Sequence, residues 1–349
     1  MKIVLISTNS ADESALVVAH EALKAEHDAH LTRWRPGGVN NTPYDVVLRH
    51  LEIAPPDLCF IHGDRWDALI AATAATVARV KIAHLGGGDV TEGSYDNRFR
   101  DAITRLADVH FVSTNVAAER IRVEITHGYS EDDERERHVH VVGEPALDWL
   151  KTVKLPDRAT FMATLGLELF DGFVLVNWQP ETLAAAPNKG LVLILNALVK
   201  LSGRVAIMFA RVNNDHGAPE AIEMIHQFVR QMTGRRFVGG PTQVMTRETY
   251  AAALKYCDCM VGNSSSGLIE APAFGTPFAL VGRRQWGRSA ALNVSWFETD
   301  VPAMALARWV EYDAARIRGL PWNGWMDNPY GDGTAGEKIA AALREKVTA

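Results

Sequence analysis

Short apolar runs alternate with segments of helical spacing along the first 150 residues. The apolar runs have the length and the flanking turn residues of buried strands, and they lie at 2–7, 29–34, 58–63, 81–85, 109–114 and 138–143. Segments with helical spacing, among them 13–26, 43–53 and the Ala-rich 66–79, separate them. Strands that alternate with helices predict right-handed βαβ units and a parallel sheet.

The same alternation begins again after a polar, Pro-containing stretch, TVKLPDRAT at 152–160. Apolar runs at 173–177, 204–210, 259–263 and 277–282 alternate with predicted helices at 189–201, 218–232, 247–256 and 266–274, and a last helix is predicted at about 335–347. We therefore predict two Rossmann-like α/β domains at 1–155 and 156–333, followed by a terminal helix within 334–349. Ligands are expected in a cleft between the carboxyl ends of the two sheets.

Composition narrows the class of protein. A chain of 349 residues exceeds one comfortable core, which agrees with two domains. The formal charge of −6, with acidic and basic residues interleaved, makes nucleic acid an unexpected partner. No apolar run approaches the roughly 20 residues of a membrane span, and the sequence begins on a strand without a charged-then-apolar leader.

The cysteines indicate a reducing compartment. An odd count of three, Cys59, Cys257 and Cys259, favours a cytoplasmic location over a disulfide scaffold. The Cys-x-Cys pair at 257–259 allows a zinc interpretation. No second ligand pair follows it, and alternation along a strand would bury both thiols, so we predict no metal site.

Carboxylates collect after two of the predicted strands. Asp64 follows the strand in IHGDRWDAL, where it either serves a site or caps the next helix. The segment 84–102, HLGGGDVTEGSYDNRFRDA, places Asp89, Glu92 and Asp96 on one loop after three glycines. Glycines permit close approach of the backbone to a ligand, so this loop is a candidate site. A solvated loop with a helix cap is the alternative.

The segment VGNSSSGLIEAPAFGTP at 261–277 suits an anion. It ends a strand and opens a helix, so that Ser264, Ser265 and free backbone N–H groups would face a phosphate. Glu270, one turn into the helix, is placed to accept two sugar hydroxyls. The alternative is a serine-rich helix cap. There is no Walker lysine and no complete GxGxxG, which argues against a P-loop NTPase and a dinucleotide fold.

A basic loop, GRRQWGR at 282–288, follows the next strand. Arg283, Arg284 and Arg288 are suited to bidentate contact with a diphosphate. A solvated charge run is the alternative, but the loop is expected beside the serine segment.

A third strand end delivers no titratable group. FVLVNWQPETL at 173–183 presents Asn177, Trp178 and Gln179 where a ligand is expected. Trp178, like Trp66 and Trp286, has a flat apolar face suited to stacking on a sugar or an aromatic acceptor.

These segments in this order resemble the hydrolysing UDP-N-acetylglucosamine 2-epimerase family over nearly the whole chain. The resemblance rests on HLGGGDVTEGSYDNRFRDAITRLADVHFVS, GNSSSGLIEAP, GRRQWGR and NPYGDGTAGEKI. It is strongest to the sialic-acid-pathway branch that releases N-acetylmannosamine. It implies a glycosyltransferase-B-like architecture, a UDP-sugar in the interdomain cleft, no cofactor, a homodimer, and a terminal helix that packs on the first domain.

Roles carry over only where a family motif matches. Ser264, Ser265 and Glu270 match the family's nucleotide-diphosphate and ribose positions. Arg284 and Arg288 match its basic loop.

Further matches lie in both predicted domains. Asn213, in RVNNDHG, matches an Asn-x-Asp-x-Gly loop. Asp64 and Arg65 match a Gly-Asp-Arg strand end, Asp96 matches one carboxylate of an Asp-Asp pair, and Asp12 matches the acid of an N-terminal Arg-Ala-Asp stretch.

Five positions depart from the family pattern. Ser10 and Ala15 stand at the arginine and lysine positions near the N-terminus, and Gly86 stands where an acid or histidine is expected. Asn97 replaces the second Asp of the pair, and Gln179 replaces a histidine. A glutamine can donate to a sugar hydroxyl or phosphate, but it cannot cycle a proton.

The family's reaction is thought to eliminate UDP and then to add water or UDP to a glycal. It needs a base for the C2 proton and cations or N–H donors for the departing diphosphate. The serine segment and the basic loop fit the second requirement. Asp64, Asp89, Glu92 and Asp96 remain as candidates for the base.

Three functions stay open at this point. The first is a UDP-sugar 2-epimerase with a changed carboxylate set. The second is a glycosyltransferase of the same fold, which needs a base for an acceptor hydroxyl but no C2 chemistry. The third is a non-catalytic protein that binds a nucleotide-sugar.

Overall fold

The computed structural model describes residues 1–7, 10–33, 43–126, 138–201, 205–232, 236–321, 324 and 327–347. The chain divides into two compact units. The first unit contains Met1–Val90, Tyr95–Lys151 and Pro329–Ala349, and the second contains Thr91–Ser94 and Thr152–Asn328. We predicted domain boundaries at 155/156 and 333/334. The boundaries between the units lie four and five residues earlier, after Lys151 and after Asn328.

The two units each contain a parallel sheet of six strands. The strands are β1 Lys2–Ser7, β2 Asp28–Arg33, β3 Leu58–His62, β4 Lys81–Leu85, β5 Val109–Val112, β6 Val139–Val141, β7 Gly172–Asn177, β8 Val205–Phe209, β9 Phe237–Gly239, β10 Cys259–Gly262, β11 Phe278–Val281 and β12 Val294–Phe297. The sheet orders are β2-β1-β3-β4-β5-β6 and β12-β11-β10-β7-β8-β9. The predicted α/β fold class is thus confirmed.

Helices cover both faces of the sheets. They are α1 Ser10–Leu23, α2 Pro43–Ile53, α3 Trp66–Val77, α4 Asp96–Leu106, α5 Asn115–Thr126, α6 Ala146–Thr152, α7 Arg158–Thr164, α8 Lys189–Leu198, α9 Ala218–Gln231, α10 Arg247–Tyr256, α11 Ser266–Ile269, α12 Ala303–Arg308, α13 Ala314–Arg318 and α14 Ala335–Val347. A 3₁₀ turn occupies Ala271–Phe274 and a π turn occupies Trp309–Asp313. None of the helices in the described ranges is long and apolar enough to span a membrane.

Burial on both faces explains why the central strands were predictable. Along β1, Ile3 and Leu5 join the core formed with α1 and α14, whereas Val4 and Ile6 join the core formed with α2 and α3. A strand covered on both sides reads as a continuous apolar run. The edge strands β9 and β12 were not predicted, because their residues are only partly buried and lack such a run.

The second sheet has the strand order of a Rossmann fold. The chain runs from β7 outward through β8 to β9 and then crosses to β10 on the other side of β7. The strand order therefore reverses between β7 and β10. In open α/β sheets, ligands bind in the crevice at such a switch point, beyond the carboxyl ends of the strands.

The terminal helix α14 is held within the first unit by the half-buried carboxylate of Asp148. Asp148 accepts hydrogen bonds from Ala335 N at 2.9 Å and from Gly336 N at 2.8 Å. Ile339 and Leu343 of the same helix lie in the core that contains Leu16 of α1. The helix end thus receives both a charge that complements its dipole and partners for two N–H groups.

Replacing Asp148 with Asn should destabilise the first unit. Asn keeps one oxygen acceptor but turns an N–H₂ group toward the other backbone N–H. We expect D148N to lower the free energy of unfolding by about 1–3 kcal/mol, measured by urea titration. E337Q removes an exposed charge from the same helix terminus without that pair of bonds. An equal loss in the two variants would contradict this account of α14.

Candidate functional site

A pocket of about 310 Å³ lies at the switch point of the second sheet. Its wall comes from the ends of β7, β8 and β10, from α10 and from the loops after β9 and β11, and consists of Asn177, Gln179, Ala210, Arg211, Asn213, Val244, Met245, Tyr250, Ser264, Ser265 and Arg284. The fold thus brings five predicted binding residues together here: Gln179, Asn213, Ser264, Ser265 and Arg284. Among the described residues, the lining contains arginines, amides and hydroxyls, and no Asp, Glu or His. This chemistry suits an anion.

A buried asparagine joins the two strands on either side of the switch point. Asn263 is 0% exposed, accepts from Gln179 N at 2.7 Å and donates to Gln179 O at 2.7 Å. Its own N–H donates to Asn177 O at 3.1 Å. The side chain therefore continues the sheet's hydrogen bonding beyond the last residues of β7 and β10, and it fixes the floor of the pocket. Because buried amides must be bonded, this link is strongly specified.

Gln179 is fully engaged within the protein. Its Nε2 donates to Asn177 Oδ1 and to Arg211 O, both at 3.0 Å, and its Oε1 accepts from Asn213 N at 2.8 Å. Both amide hydrogens are committed, so the residue forms the pocket wall with no donor left for a sugar hydroxyl or phosphate. From the sequence we expected that this glutamine could donate to a sugar hydroxyl or a phosphate. In the structure, both amide hydrogens are already used within the protein.

The expectation that Trp178 stacks on a ligand is wrong. Its side chain is 1% exposed in the core of the second unit, and its Nε1 donates to Asn188 Oδ1 at 3.2 Å. The alternation of an extended strand explains this, because Asn177 and Gln179 point to the pocket side while Trp178 points to the opposite side. A Cβ at Gly190 would lie 2.4 Å from Trp178 Cη2, so a glycine there lets α8 pack against the indole.

The serine segment approaches β7 too closely for any side chain. Gly262 has φ +150°, and a Cβ there would lie 1.9 Å from Asn177 O. The helix predicted at 266–274 is divided into α11 and a 3₁₀ turn, because Pro272 has no N–H to continue the α-helical bonding. The single turn of α11 offers a smaller dipole than expected, so an anion at this position would depend more on hydroxyls and cations.

A buried carboxylate holds the basic loop. Glu181 Oε1 accepts from Arg283 N at 2.5 Å and from Arg284 N at 2.8 Å. Burial raises the pKa of Glu181, and the two backbone donors oppose that shift. Gly282 has φ +81°, and a Cβ there would lie 2.4 Å from the same Oε1. Glu181, which lies 102 residues from its first partner, was not among the residues predicted from the sequence.

The arginines of this loop have different surroundings. Arg284 lines the pocket. The guanidinium of the exposed Arg283 lies 4.3 Å from the centre of the Trp286 ring and 3.3 Å from Glu298. Arg288 is not among the pocket-lining residues, and its backbone N–H donates to Gln285 O at 3.2 Å.

The short segment Thr91–Ser94 packs on the basic loop within the second unit. Glu92 N donates to Trp286 O at 3.1 Å. A Cβ at Gly93 would come within 2.6 Å of Arg284 Cα, so only glycine permits this contact. Glu92, a predicted catalytic carboxylate, is exposed in this segment.

Arg100 gathers the polar groups of the first unit. Its side chain is 1% exposed; it forms an ion pair with Asp64 and donates to Asp89 O at 2.8 Å and to Asn97 Oδ1 at 2.7 Å. The alternative that Asp64 caps α3 is not what the structure shows, because Arg65 is the N-cap residue and no side chain caps it. A buried guanidinium requires such partners, so Asp64, Asp89 and Asn97 form one cluster.

His84 lies beneath this cluster as a neutral ring. Its Nε2 lies 2.9 Å from Gly63 O and its Nδ1 lies 3.1 Å from Thr104 Oγ1. A carbonyl only accepts, so Nε2 carries the proton and Nδ1 accepts from the threonine. Burial lowers the pKa of His84 to about 4. His84 is therefore a structural group, and the sequence analysis did not single out its role.

Packing within the first unit explains why Gly87 and Gly88, which precede Asp89, are glycines. A Cβ at Gly87 would lie 2.9 Å from Thr104 Oγ1 and 3.0 Å from His84 Nδ1. A Cβ at Gly88, where φ is +78°, would lie 2.3 Å from Ala117 O. These two glycines are therefore required by packing; that they also let the backbone approach a ligand stays a prediction.

Three further predicted residues lie at helix ends: Arg65, Asp96 and Glu270. Asp96 is the first residue of α4, and the exposed Arg65 lies 3.9 Å from Asp67. Glu270 ends α11, does not line the pocket, and is near enough to Tyr250 and Arg247 to raise the pKa of both, although burial lowers that of Arg247 overall. The side chain of Asp12 lies outside the described residues.

The cysteines are buried and free. Burial raises the pKa of Cys59 and Cys257 to about 12 and that of Cys259 well above its usual value. In the described portion of the chain, no group of at least three His, Cys, Asp or Glu side chains is arranged to hold a metal.

Comparison with solved structures places the fold. The two parallel sheets define an α/β protein of two Rossmann-like units with a glycosyltransferase-B-like fold. Neisseria meningitidis UDP-GlcNAc 2-epimerase, solved with bound UDP-GlcNAc, superposes with a TM-score of 0.78 at 15% identity over 99% of this chain and 100% of that one.

The chain belongs to the UDP-N-acetylglucosamine 2-epimerase family, whose sequence model matches residues 6–344. It is 29% identical over 258 residues to the UDP-N-acetylglucosamine 2-epimerase of Neisseria meningitidis serogroup B, which covers 74% of this chain and 64% of that protein. It is 27% identical over 295 residues to the hydrolysing UDP-N,N'-diacetylbacillosamine 2-epimerase of Legionella pneumophila, which covers 84% and 72%. The match thus spans less than two thirds of the meningococcal relative.

Glu181 should be needed as an acceptor more than as a charge. E181A leaves the N–H groups of Arg283 and Arg284 without their partner and should lower the free energy of unfolding by about 1–3 kcal/mol. E181Q keeps an oxygen acceptor and should lose less. Urea titrations measure the free energy of unfolding of both variants. E298Q is the control, because Glu298 is a carboxylate that pairs with the side chain of Arg283 at the surface.

The raised pKa of Glu181 also predicts how the stability difference between wild type and E181Q changes with pH. The pKa of Glu181 is higher in the folded protein than its ordinary value of 4.5, so the ionised group reduces stability at neutral pH and this cost falls as the pH drops through the folded pKa toward 4.5. Wild type should therefore gain stability relative to E181Q as the pH is lowered. A difference that stays constant with pH would contradict the assignment.

Proposed function

We propose that this chain is an enzyme that binds a UDP-sugar of the UDP-N-acetylhexosamine type and breaks its anomeric C–O bond with release of UDP, in a 2-epimerisation. The observation that carries the proposal is the pocket at the switch point of the second sheet. It combines Ser264, Ser265 and Arg284, and the part of its wall that the structure describes has no carboxylate, which favours a diphosphate. Family membership supports the same ligand class.

The relatives support the sugar class. One relative is solved with bound UDP-GlcNAc, and another is a hydrolysing epimerase of UDP-N,N'-diacetylbacillosamine. Both of these nucleotide-sugars consist of an acetamido sugar joined to uridine diphosphate. We transfer this ligand class to the present chain, together with a homodimeric state and a cytoplasmic location, as proposals.

The reaction divides into two tasks. A base takes the proton from C2, a C1–C2 double bond forms, and the electrons of the C1–O bond leave with UDP; addition of water to the glycal then returns a proton to C2 and places OH on C1. Ser264 and Arg284 would stabilise the departing diphosphate. Because the described residues of the pocket wall include no Asp, Glu or His, we assign the role of the base to one of Asp64, Asp89, Glu92 and Asp96.

A glycosyltransferase remains the second candidate, and two amides favour it. Gln179 and Asn97, which stand where family members resembling this chain have a histidine and an aspartate, are both held in hydrogen bonds of the protein. Neither can move a proton. A transferase would need only one carboxylate base for an acceptor hydroxyl.

Incubation with UDP-N-acetylglucosamine in deuterated water separates the candidates. Proton NMR should show deuterium at C2, or free N-acetylmannosamine, together with UDP. Release of UDP only when an acceptor is added, with no exchange at C2, would identify a transferase. Binding with neither change would identify a non-catalytic protein and would contradict the proposed reaction.

Glu270 is expected to bind ribose hydroxyls, as the matching family position implies. Loss of a hydrogen bond to a charged group typically weakens binding about tenfold or more. E270A should therefore weaken UDP binding in a calorimetric titration by that factor. E248A, an exposed carboxylate on the neighbouring α10, should bind as wild type does. Unchanged affinity in E270A would remove Glu270 from the site.

A further inference from the structure

A row of hydrogen bonds leads from the end of β7 to the pocket. Asn177 Nδ2 donates to the Tyr250 hydroxyl at 2.7 Å. That hydroxyl lies 2.5 Å from Ser266 Oγ, which in turn lies 3.1 Å from Ser264 Oγ. Distances alone leave the direction of the two hydroxyl–hydroxyl bonds open. The groups at the start of the row decide it.

The backbone fixes the orientation of Gln179. Arg211 O can only accept and Asn213 N–H can only donate, and Gln179 contacts the first with Nε2 and the second with Oε1. Reversing the amide would place acceptor against acceptor and donor against donor. Nε2 is therefore the atom that faces Asn177, to which it donates through Oδ1 at 3.0 Å.

The orientation of Asn177 follows, and that of Tyr250 follows from it. Because Asn177 Oδ1 accepts from Gln179, its Nδ2 faces the tyrosine, where it can only donate. The Tyr250 oxygen therefore accepts from Asn177. Its own proton then needs an acceptor, and Ser266 Oγ, the hydroxyl's other partner, is the acceptor within reach. Burial, with Glu270 nearby, raises the pKa of Tyr250, so this proton is retained at neutral pH.

The donor and acceptor roles along the row determine the role of the Ser264 hydroxyl. Ser266 is 8% exposed; it accepts from Tyr250 and finds in Ser264 Oγ the acceptor for its own proton. Ser266 N also donates to Ser264 Oγ, at 3.4 Å. With both acceptor positions of this oxygen filled, Ser264 retains one capability, which is to donate its O–H into the pocket that it lines.

We propose that Gln179, Asn177 and Tyr250 are positioning residues that preset the Ser264 hydroxyl as a hydrogen-bond donor toward a phosphoryl oxygen. This inference rests on the proposed UDP-sugar site and deepens it. An ionised diphosphate presents only acceptors, so a preset donor favours it without reorganisation when the ligand binds or UDP departs. The row also gives a purpose to a strand end that has no titratable group.

Tyr250→Phe tests the row with little change in shape. It removes the hydroxyl that transmits the direction and should weaken UDP binding about tenfold, the value of one oriented hydrogen bond. Uridine, which lacks phosphate, should bind the variant and wild type alike. Y256F is the matched control on the same helix, because the Tyr256 hydroxyl donates to Pro156 O at 2.6 Å, away from the pocket wall.

A double-mutant cycle shows whether Tyr250 acts through Ser264. If it does, Y250F/S264A should bind UDP no more weakly than S264A alone. Additive losses, or equal losses for UDP and uridine, would overturn the proposal, because either result indicates a general disturbance of the fold. Thermal unfolding of each variant shows whether it remains folded.

A ligand-free measurement keeps the two proposals separable. In wild type labelled with ¹³Cζ-tyrosine in mixed H₂O and D₂O, Tyr250 should give resolved isotope-shifted signals from a slowly exchanging hydroxyl, with a nuclear Overhauser effect to Ser266. A single averaged signal, or an effect to Asn177 alone, would overturn the row. Absence of UDP binding at millimolar ligand, with the hydroxyl signals present, would instead overturn the proposed function.

Discussion

The second unit depends on the link between Asn263 and the backbone of Gln179. A parallel sheet with a switch point sends the connections after β7 and β10 to opposite faces, so the two strands separate where a ligand is expected. The buried amide of Asn263, bonded to both Gln179 N and Gln179 O at 2.7 Å, holds them at a fixed spacing. The Gly262 contact with Asn177 O has the same effect on the backbone. The pocket can exist as a preformed crevice because these contacts replace the missing sheet bonds.

From this floor the polar groups are oriented by the protein itself. Glu181 holds the loop that presents Arg284, and the row from Gln179 to Ser264 sets the direction of a hydroxyl. In the first unit, Arg100 orders Asp64 and Asn97, and the neutral His84 supports the backbone at Gly63. The polar groups that line the pocket and the carboxylates of the first unit are therefore positioned separately, each by buried partners. Such preorganisation is the main way in which proteins stabilise developing charge.

The sequence predicted the central strands, because burial on both faces gives long apolar runs. It missed β9 and β12, whose edge positions leave them partly exposed. Its choice of Ser264, Ser265 and Arg284 as neighbours followed from strand ends in a parallel sheet, whereas Asn213 came from the family resemblance. It could not identify Glu181 or the role of Arg100, because their partners lie 102 and 36 residues away. It misjudged Trp178, since a residue after a strand still alternates between faces, and it gave no sign that packing requires Gly87 and Gly88.

A crystal structure of the protein with bound UDP tests the central claim most directly, because it locates the nucleotide rather than measuring its affinity. The account predicts UDP at the switch point of the second sheet, with the diphosphate within hydrogen-bond distance of Ser264 Oγ and close to the Arg284 guanidinium. It also predicts that Gln179 keeps its bonds to Arg211 O and Asn213 N. UDP bound elsewhere, or a diphosphate that contacts neither Ser264 nor Arg284, would contradict it.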